Sequence, residues 1–304
     1  MRVYTGLDVH SDFGGRFPWQ SRLIDVDHGV RQAVVDEGPR DARLTFLLLH
    51  GNPTWGYLYR EFIRRLSPKY RVIVPDHVGF GRSDKPRDPR WYSLERHIKN
   101  LGNVLLELRP TRVIPVVQDW GGPIGMGWAV RNPAHVAGVV VLNSWAFVRN
   151  PTLRINWLFR LLVLGRGGWK RSVQSNVFVE WFLARRAQLK DGDLDAYRAP
   201  FPTPDDRVGI GRFPQLIPPT RDQLHESWAT MAAIEERLSL LHDKPALIVW
   251  ARKDPAFRAK TLRRWREIFA DVDGPHLLPE AGHWLQEDAP GPILDHLERW
   301  AAGL

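Results

Sequence analysis

The chain has 304 residues, of which 43% are hydrophobic and 25% charged, an ordinary balance for a globular protein with one large core or two modest domains. Its formal net charge of +9 is spread along the sequence rather than gathered into a basic, aromatic-interleaved stripe, so no nucleic-acid partner is expected. The absence of cysteine excludes disulfides and thiolate metal sites, and no His, Asp and Glu group has the spacing of metal ligands.

From the N-terminus, residues 1–20 carry Gly14, Gly15 and Pro18 and read as an irregular arm. Leu23–Asp27 and Gln32–Asp36 flank His28-Gly29 and predict a hairpin. Thr45–Leu49 is a continuous apolar run, as in a strand buried on both faces, and ends in His50-Gly51-Asn52-Pro53. A helix is predicted over 55–66, closed by Ser67-Pro68, then a strand over 72–75 running into 76–84, then an amphipathic helix over 93–108. A strand over 113–117, a helix over roughly 122–132 and a strand over 138–142 follow. This alternation predicts an α/β fold with a mostly parallel sheet. It stops after Asn143. Residues 145–240 hold Trp-rich helical segments and a Pro-rich loop, and the alternation resumes with a strand over 245–250, a helix near 259–270, a short strand near 276–278 and a last helix over about 290–302. The expected organisation is a core of 1–144 and 241–304, with a helical cap of 145–240 inserted between two strands of one sheet. The N-terminus lacks a basic-then-apolar signal pattern, and the longest apolar contender for a membrane span, 157–164, is interrupted by Arg160. A cytoplasmic protein with no membrane partner is expected.

The chemistry gathers at strand ends. Val113–Val117, then Gln118-Asp119-Trp120-Gly121-Gly122, reads as strand, tight turn and helix with Asp119 at the turn. This is half of the G-x-S-x-G nucleophile elbow: Gly121 stands at the second Gly, Val117 replaces the first, and Asp119 holds the nucleophile position. An aspartate there forms an ester with an alkyl carbon; taken alone, it would serve equally well as a helix cap. A base and an acid should follow in the order nucleophile, acid, histidine. Asp254 follows the strand 245–250, and His283 follows Gly282 on the loop after the last short strand. Each has a plain reading, an N-cap for Asp254 and a packed loop residue for His283. All three in order at carboxyl ends of strands, where open α/β sheets bind ligands, point to a catalytic set.

With His50-Gly51-Asn52-Pro53-Thr54-Trp55, the run 76–86, Gln118-Asp119-Trp120-Gly121-Gly122, Ala281-Gly282-His283 and the segments 197–201 and 212–214 in view, the chain resembles the haloalkane dehalogenases of the α/β-hydrolase superfamily over roughly residues 20–300. The resemblance implies that Asp119 displaces halide from a small apolar haloalkane, that His283 deprotonates the water that cleaves the resulting ester, and that Asp254 orients His283, with no cofactor. It implies a halide held by the Asn52 side-chain amide and the Trp120 indole, and an oxyanion held by the backbone N–H groups of the same two residues. It also implies that the peptide before Pro53 is cis. Some members carry the acid after the strand ending here at Leu142, but Asn143-Ser144-Trp145 offers no ionising group there. A cap Trp (157, 169 or 181) is the alternative to Asn52. His50 reads as shaping the oxyanion loop and His77 as turn surface.

Rival chemistries fit less well. An epoxide hydrolase normally needs two cap tyrosines, and Tyr197 is the only Tyr between 145 and 240. A fluoroacetate-type enzyme needs an arginine pair beside the nucleophile, where Trp120 stands. A luciferase-like oxygenase and a non-catalytic binding protein on the same scaffold complete the set.

Overall fold

The computed structural model describes residues 3–4, 7–149, 159–165 and 167–304. Eight strands form one sheet: β2 (Arg22–Asp27), β3 (Val30–Glu37), β4 (Thr45–Leu49), β5 (Arg71–Pro75), β7 (Val113–Asp119), β8 (Val139–Ser144), β9 (Ala246–Ala251) and β10 (Val272–Leu278). Their order across the sheet is β10-β9-β8-β7-β4-β5-β3-β2. Every neighbouring pair from β10 to β5 is parallel, and β3 runs antiparallel to both β5 and β2. All residues of β4, β5, β8 and β9 are buried. Their sequences are therefore almost continuously apolar rather than alternating, because helices cover both faces of a parallel sheet. Residues predicted as an irregular arm include one short strand, β1 (Val3–Tyr4), paired with β6 (Lys85–Pro86). β10 is longer than the sequence suggested; Gly274 and Pro275, joined by a cis peptide, interrupt its register between Asp273 and His276, and pairing with β9 spans the irregularity.

α1 (Arg60–Leu66), α2 (Leu94–Leu108) and α3 (Gly121–Ala129) follow β4, β6 and β7. Ser93 caps α2, its hydroxyl accepting from Arg96 N at 3.2 Å, which satisfies one of the amides that a helix start leaves open. Between β8 and β9 the described residues form helices and turns and contain no strand. No helix among the described residues is long and apolar enough to cross a membrane.

The helix Asp193–Arg198, within the segment between β8 and β9, is tied to the sheet-flanking helices by a buried charge network. Arg60 donates through Nη1 to Glu287 Oε1 at 2.5 Å and through Nη2 to Asp193 Oδ2 at 3.0 Å and Glu287 Oε2 at 2.7 Å. Tyr57 donates to Asp193 Oδ1 at 2.7 Å, and Tyr197 donates to Glu287. Such a cluster is no proof of net stabilisation, but removing its one cation strands two carboxylates whose side chains are only 2% and 3% exposed. Arg60→Met is therefore expected to cost about 3–5 kcal/mol in urea unfolding; a loss below about 1 kcal/mol would mean that water already reaches these carboxylates.

Candidate active site

The functional side chains converge at the carboxyl edge of the sheet. Asp119 ends β7 with φ of +48°, a conformation rare for residues bearing a Cβ. The β7–β8 register shifts between Gln118 and Asp119, and Ser144 Oγ donates to Asp119 O at 2.6 Å. The turn closes tightly: a Cβ on Gly121 would collide with Leu49 O, and one on Gly122 with the Ser144 hydroxyl. Two consecutive glycines are thus required where the sequence has them, while Val117 fills the buried position of the usual first glycine.

The three residues of the expected catalytic set are adjacent. His283 Nδ1 lies 2.9 Å from Asp254 Oδ2, and His283 Nε2 lies 3.6 Å from Asp119 Oδ2. Asp254 Oδ1 accepts from Ala256 N at 2.7 Å and Phe257 N at 3.2 Å, so this residue also begins a turn, as its plain reading has it. Asn143 Nδ2 donates to Asp254 Oδ2 at 3.1 Å, and Asn143 Oδ1 accepts from Ala251 N at 2.7 Å. Glu280, a possible alternative acid, is on the surface and paired with Lys253.

Asn52 follows β4 and is joined to Pro53 by a cis peptide, as expected. Its N–H donates to Asp119 Oδ1 at 2.9 Å, and the Trp120 N–H also stabilises this carboxylate. Gly51 O, the carbonyl of the peptide that carries the Asn52 N–H, meets Thr54 N at 3.0 Å, Thr54 Oγ1 at 3.0 Å and His50 Nδ1 at 2.9 Å. His50 Nε2 accepts from His77 N at 2.9 Å, and His77 Nε2 lies 2.9 Å from His50 O. His77 is buried, at 1% exposure, rather than on the turn surface. Its Gly-rich loop looks like an exposed turn in sequence, but the loop folds back under Phe80 and Phe213, and the His50 and His77 rings stand 4.3 Å apart. Burial and the mutual repulsion of the rings hold His50 well below the usual imidazole range.

The Trp120 ring is held edge-on between Trp145 and Phe213, with centroids at 5.0 and 5.1 Å. Its Nε1–H has no hydrogen-bond partner among the described residues. Asn52 Nδ2 spends one of its two hydrogens on Ile210 O at 3.3 Å. Of the alternative tryptophans, Trp157 lies outside the described residues. Trp181 sits beneath the Arg185 and Arg186 guanidiniums at 5.9 and 5.8 Å, and Trp169 packs beside Gly211.

Burial raises the Asp119 carboxyl above its ordinary range, against the pull of His283 and the two backbone donors. Burial pushes the His283 ring down, but the Asp254 and Asp119 carboxylates outweigh it and its pKa is pushed up to about 9. The neighbouring carboxylates therefore favour the protonated ring of His283 in the free site.

Two neighbours of His283 were not singled out from the sequence. Gln118 Nε2 lies 3.3 Å from His283 Nε2 and donates to His283 O at 3.1 Å. Asp288 accepts from Gly282 N at 2.7 Å and from Gln188 N at 2.8 Å, joining the histidine loop to the helical segment. Gln118 precedes the nucleophile directly and could have been flagged by that position alone; nothing in the sequence marks Asp288. Tyr197, the one candidate acid for epoxide chemistry, is committed to Glu287. Among the described residues no His, Asp and Glu cluster could hold a metal ion.

A family profile described as alpha/beta hydrolase fold matches residues 45–290. Haloalkane dehalogenase 2 of Mycobacterium tuberculosis is 35% identical over 283 residues, covering 91% of this chain and 93% of the relative. A cis-3-alkyl-4-alkyloxetan-2-one decarboxylase of Xanthomonas campestris pv. campestris is 32% identical over 292 residues, covering 90% of this chain and 92% of the relative. Among solved structures, the haloalkane dehalogenase DpaA from Paraglaciecola agarilytica superposes with a TM-score of 0.86 at 27% identity, covering 100% of this chain and 99% of the other.

Proposed function

Because the chain belongs to the haloalkane dehalogenase family of α/β-hydrolases, we propose that it hydrolyses small apolar haloalkanes to alcohol and halide through an alkyl ester on Asp119. The segment 145–240 serves as a cap over the site, and the core is formed by 1–144 and 241–304. The observation that carries this reading is the uncommitted indole N–H of Trp120, next in sequence to a nucleophile whose other oxygen already has its donors. A halide leaving carbon takes no proton, so the site must replace water's hydrogen bonds where the charge develops. Trp120 Nε1 and the second hydrogen of Asn52 Nδ2 do this without a formal charge, and the halide can then depart.

Asp119 Oδ1 accepts from the Asn52 N–H, and the Trp120 N–H also stabilises the carboxylate; Oδ2 is then the oxygen that attacks carbon. Esterification removes the Asp119 charge, one of the causes that keep His283 protonated. The imidazole therefore gives up its Nε2 proton in the intermediate and becomes able to take one from water. Water adds to the ester carbonyl carbon, the oxyanion at Oδ1 is met by the same two N–H groups, and Asp254 balances the imidazolium that re-forms.

The reading is tested with 1,2-dibromoethane by following bromide and acid release. Trp120→Phe keeps the ring wall and removes the donor, so bromide release should fall about a hundredfold, the usual cost of losing one preorganised donor. An unchanged rate would remove Trp120 from the halide site, and no bromide from the unaltered protein would sink the reading.

The decarboxylase relative, similar over the same length, favours a second substrate class for the same nucleophile. Asp119 attack at C4 of a 3,4-dialkyl oxetan-2-one breaks the ring C–O bond, giving an alkyl ester and a free carboxylate. The carboxylate leaves as carbon dioxide, its C–C electrons form the alkene, and Asp119 departs with its oxygen. No water is consumed, so alkene formation should survive His283→Phe while haloalkane turnover does not. Alkene and carbon dioxide without bromide would assign the protein to this class.

A further inference from the structure

The charged groups that act most strongly on His283 are carboxylates. Asp254 faces it from the loop after β9 at 2.9 Å, Asp119 from β7 at 3.6 Å, and Asp288 acts on it from the helix Leu285–Asp288. Phe257 and Trp284, packed on the ring at 5.7 and 5.0 Å, are uncharged. All three carboxylates favour the imidazolium, whereas the hydrolytic step requires a free lone pair at Nε2. Gln118 is the neighbour with the opposite preference. It is fully buried, and its Nε2 lies 3.1 Å from His283 O and 3.3 Å from His283 Nε2. The carbonyl can only accept, so it fixes which way the amide faces. The same NH2 group then meets a ring nitrogen that can accept from it only while neutral; against a protonated Nε2 it would set donor against donor. The far oxygen, Gln118 Oε1, is buried with no partner among the described residues, and flipping the amide would set that oxygen against the His283 carbonyl and, while the ring is neutral, against the Nε2 lone pair as well.

We propose that Gln118 is a positioning residue that holds the His283 imidazole with its proton on Nδ1 and its lone pair on Nε2, keeping the base ready in the ester intermediate. This rests on the hydrolytic role of His283 proposed above. The device matters most once Asp119 is esterified, when its carboxylate no longer attracts a proton to Nε2 and the amide donor tips the balance. Proton transfer from water to Nε2 then displaces the Gln118 contact, which returns when the imidazolium releases its proton.

The test uses Gln118→Met, close in length and without a donor, in the full chain with 1,2-dibromoethane. The bromide burst, which reports on ester formation and not on its hydrolysis, should remain near one equivalent. The acid limb of steady turnover should move up by about one pH unit, the scale of one hydrogen bond to the neutral form, and turnover on that limb should fall about tenfold. An intact burst with an unmoved limb would overturn the proposal, because a merely packed glutamine would alter stability but not the midpoint. A missing burst in the unaltered protein would instead report failure of the dehalogenase reading. The proposal is then decided without substrate: His283 is titrated by NMR in Asp119→Asn, whose neutral amide stands in for the ester, with and without Gln118→Met. A higher midpoint in the double variant supports it, and equal midpoints overturn it. Should Gln118→Met not fold, the Gln118 side-chain amide protons in Asp119→Asn decide. They should move upfield as His283 protonates, and an unresponsive amide overturns the proposal.

Discussion

Asp254→Asn should slow steady turnover by on the order of ten-thousandfold, the scale reached when a triad acid is replaced by its amide, while a burst of one bromide per chain remains. The geometry says why an isosteric change would be so costly. Asp254 Oδ1 accepts from the Ala256 and Phe257 amides at 2.7 and 3.2 Å, so an asparagine keeps its oxygen there and turns its NH2 toward His283. That NH2 also meets Asn143 Nδ2, itself a donor 3.1 Å from the position. His283 must then accept at Nδ1 and carry its proton on Nε2, where it cannot take one from water. Attack by Asp119 needs no base and proceeds once. Turnover within tenfold of the unaltered protein would place the acid elsewhere.

His283→Phe should abolish turnover and trap the alkyl group on Asp119, detectable by mass as one adduct on the peptide containing that residue, whereas Asp119→Ala should release no halide at all. Steady turnover by either variant would sink the assignment. The His283 variant also carries a signature in stability. The pKa of His283 in the folded chain, about 9, lies above its ordinary value of 6.5. A group raised on folding contributes stability that is fully present below its unfolded pKa and lost as pH rises through its folded one. Unfolding by urea between pH 6.5 and 9 should therefore show the unaltered protein losing stability relative to His283→Phe. A pH-independent difference between them would mean that the ion pair does not form.

What could be read in advance and what could not divides along physical lines. The buried strands were visible as apolar runs, Asp119 and Asp254 because each ends or follows such a run, and His283 because it follows Gly282 on the loop after the last short strand. The oxyanion loop was visible because Gly51 and Pro53 are tied to backbone geometry: a Cβ on Gly51 would strike the Asp119 side chain. Contacts that depend on which side chains meet across the fold were not visible. His77 looks like any polar residue in a glycine turn until Phe213, far along the chain, covers it. Arg60, Asp193, Glu287 and Tyr197 carry no shared pattern in sequence; only docking of the helix Asp193–Arg198 brings them together. β1 is two residues long and leaves no periodicity to detect.

Glu287 and Asp288, successive residues one turn beyond His283, hold on to different things. Glu287 grips Arg60 and Tyr197, while Asp288 grips the amides of Gly282 and Gln188. The His283 loop is thus fastened through Asp288 to the segment between β8 and β9, so the alignment of the imidazole depends on where that segment sits. Substitutions that lift the segment near Gln188 to admit bulkier substrates would drag on Gly282 and tilt the imidazole. Breadth of substrate would then be gained at the expense of ester hydrolysis rather than of ester formation, and such broadened variants would stall as alkylated protein.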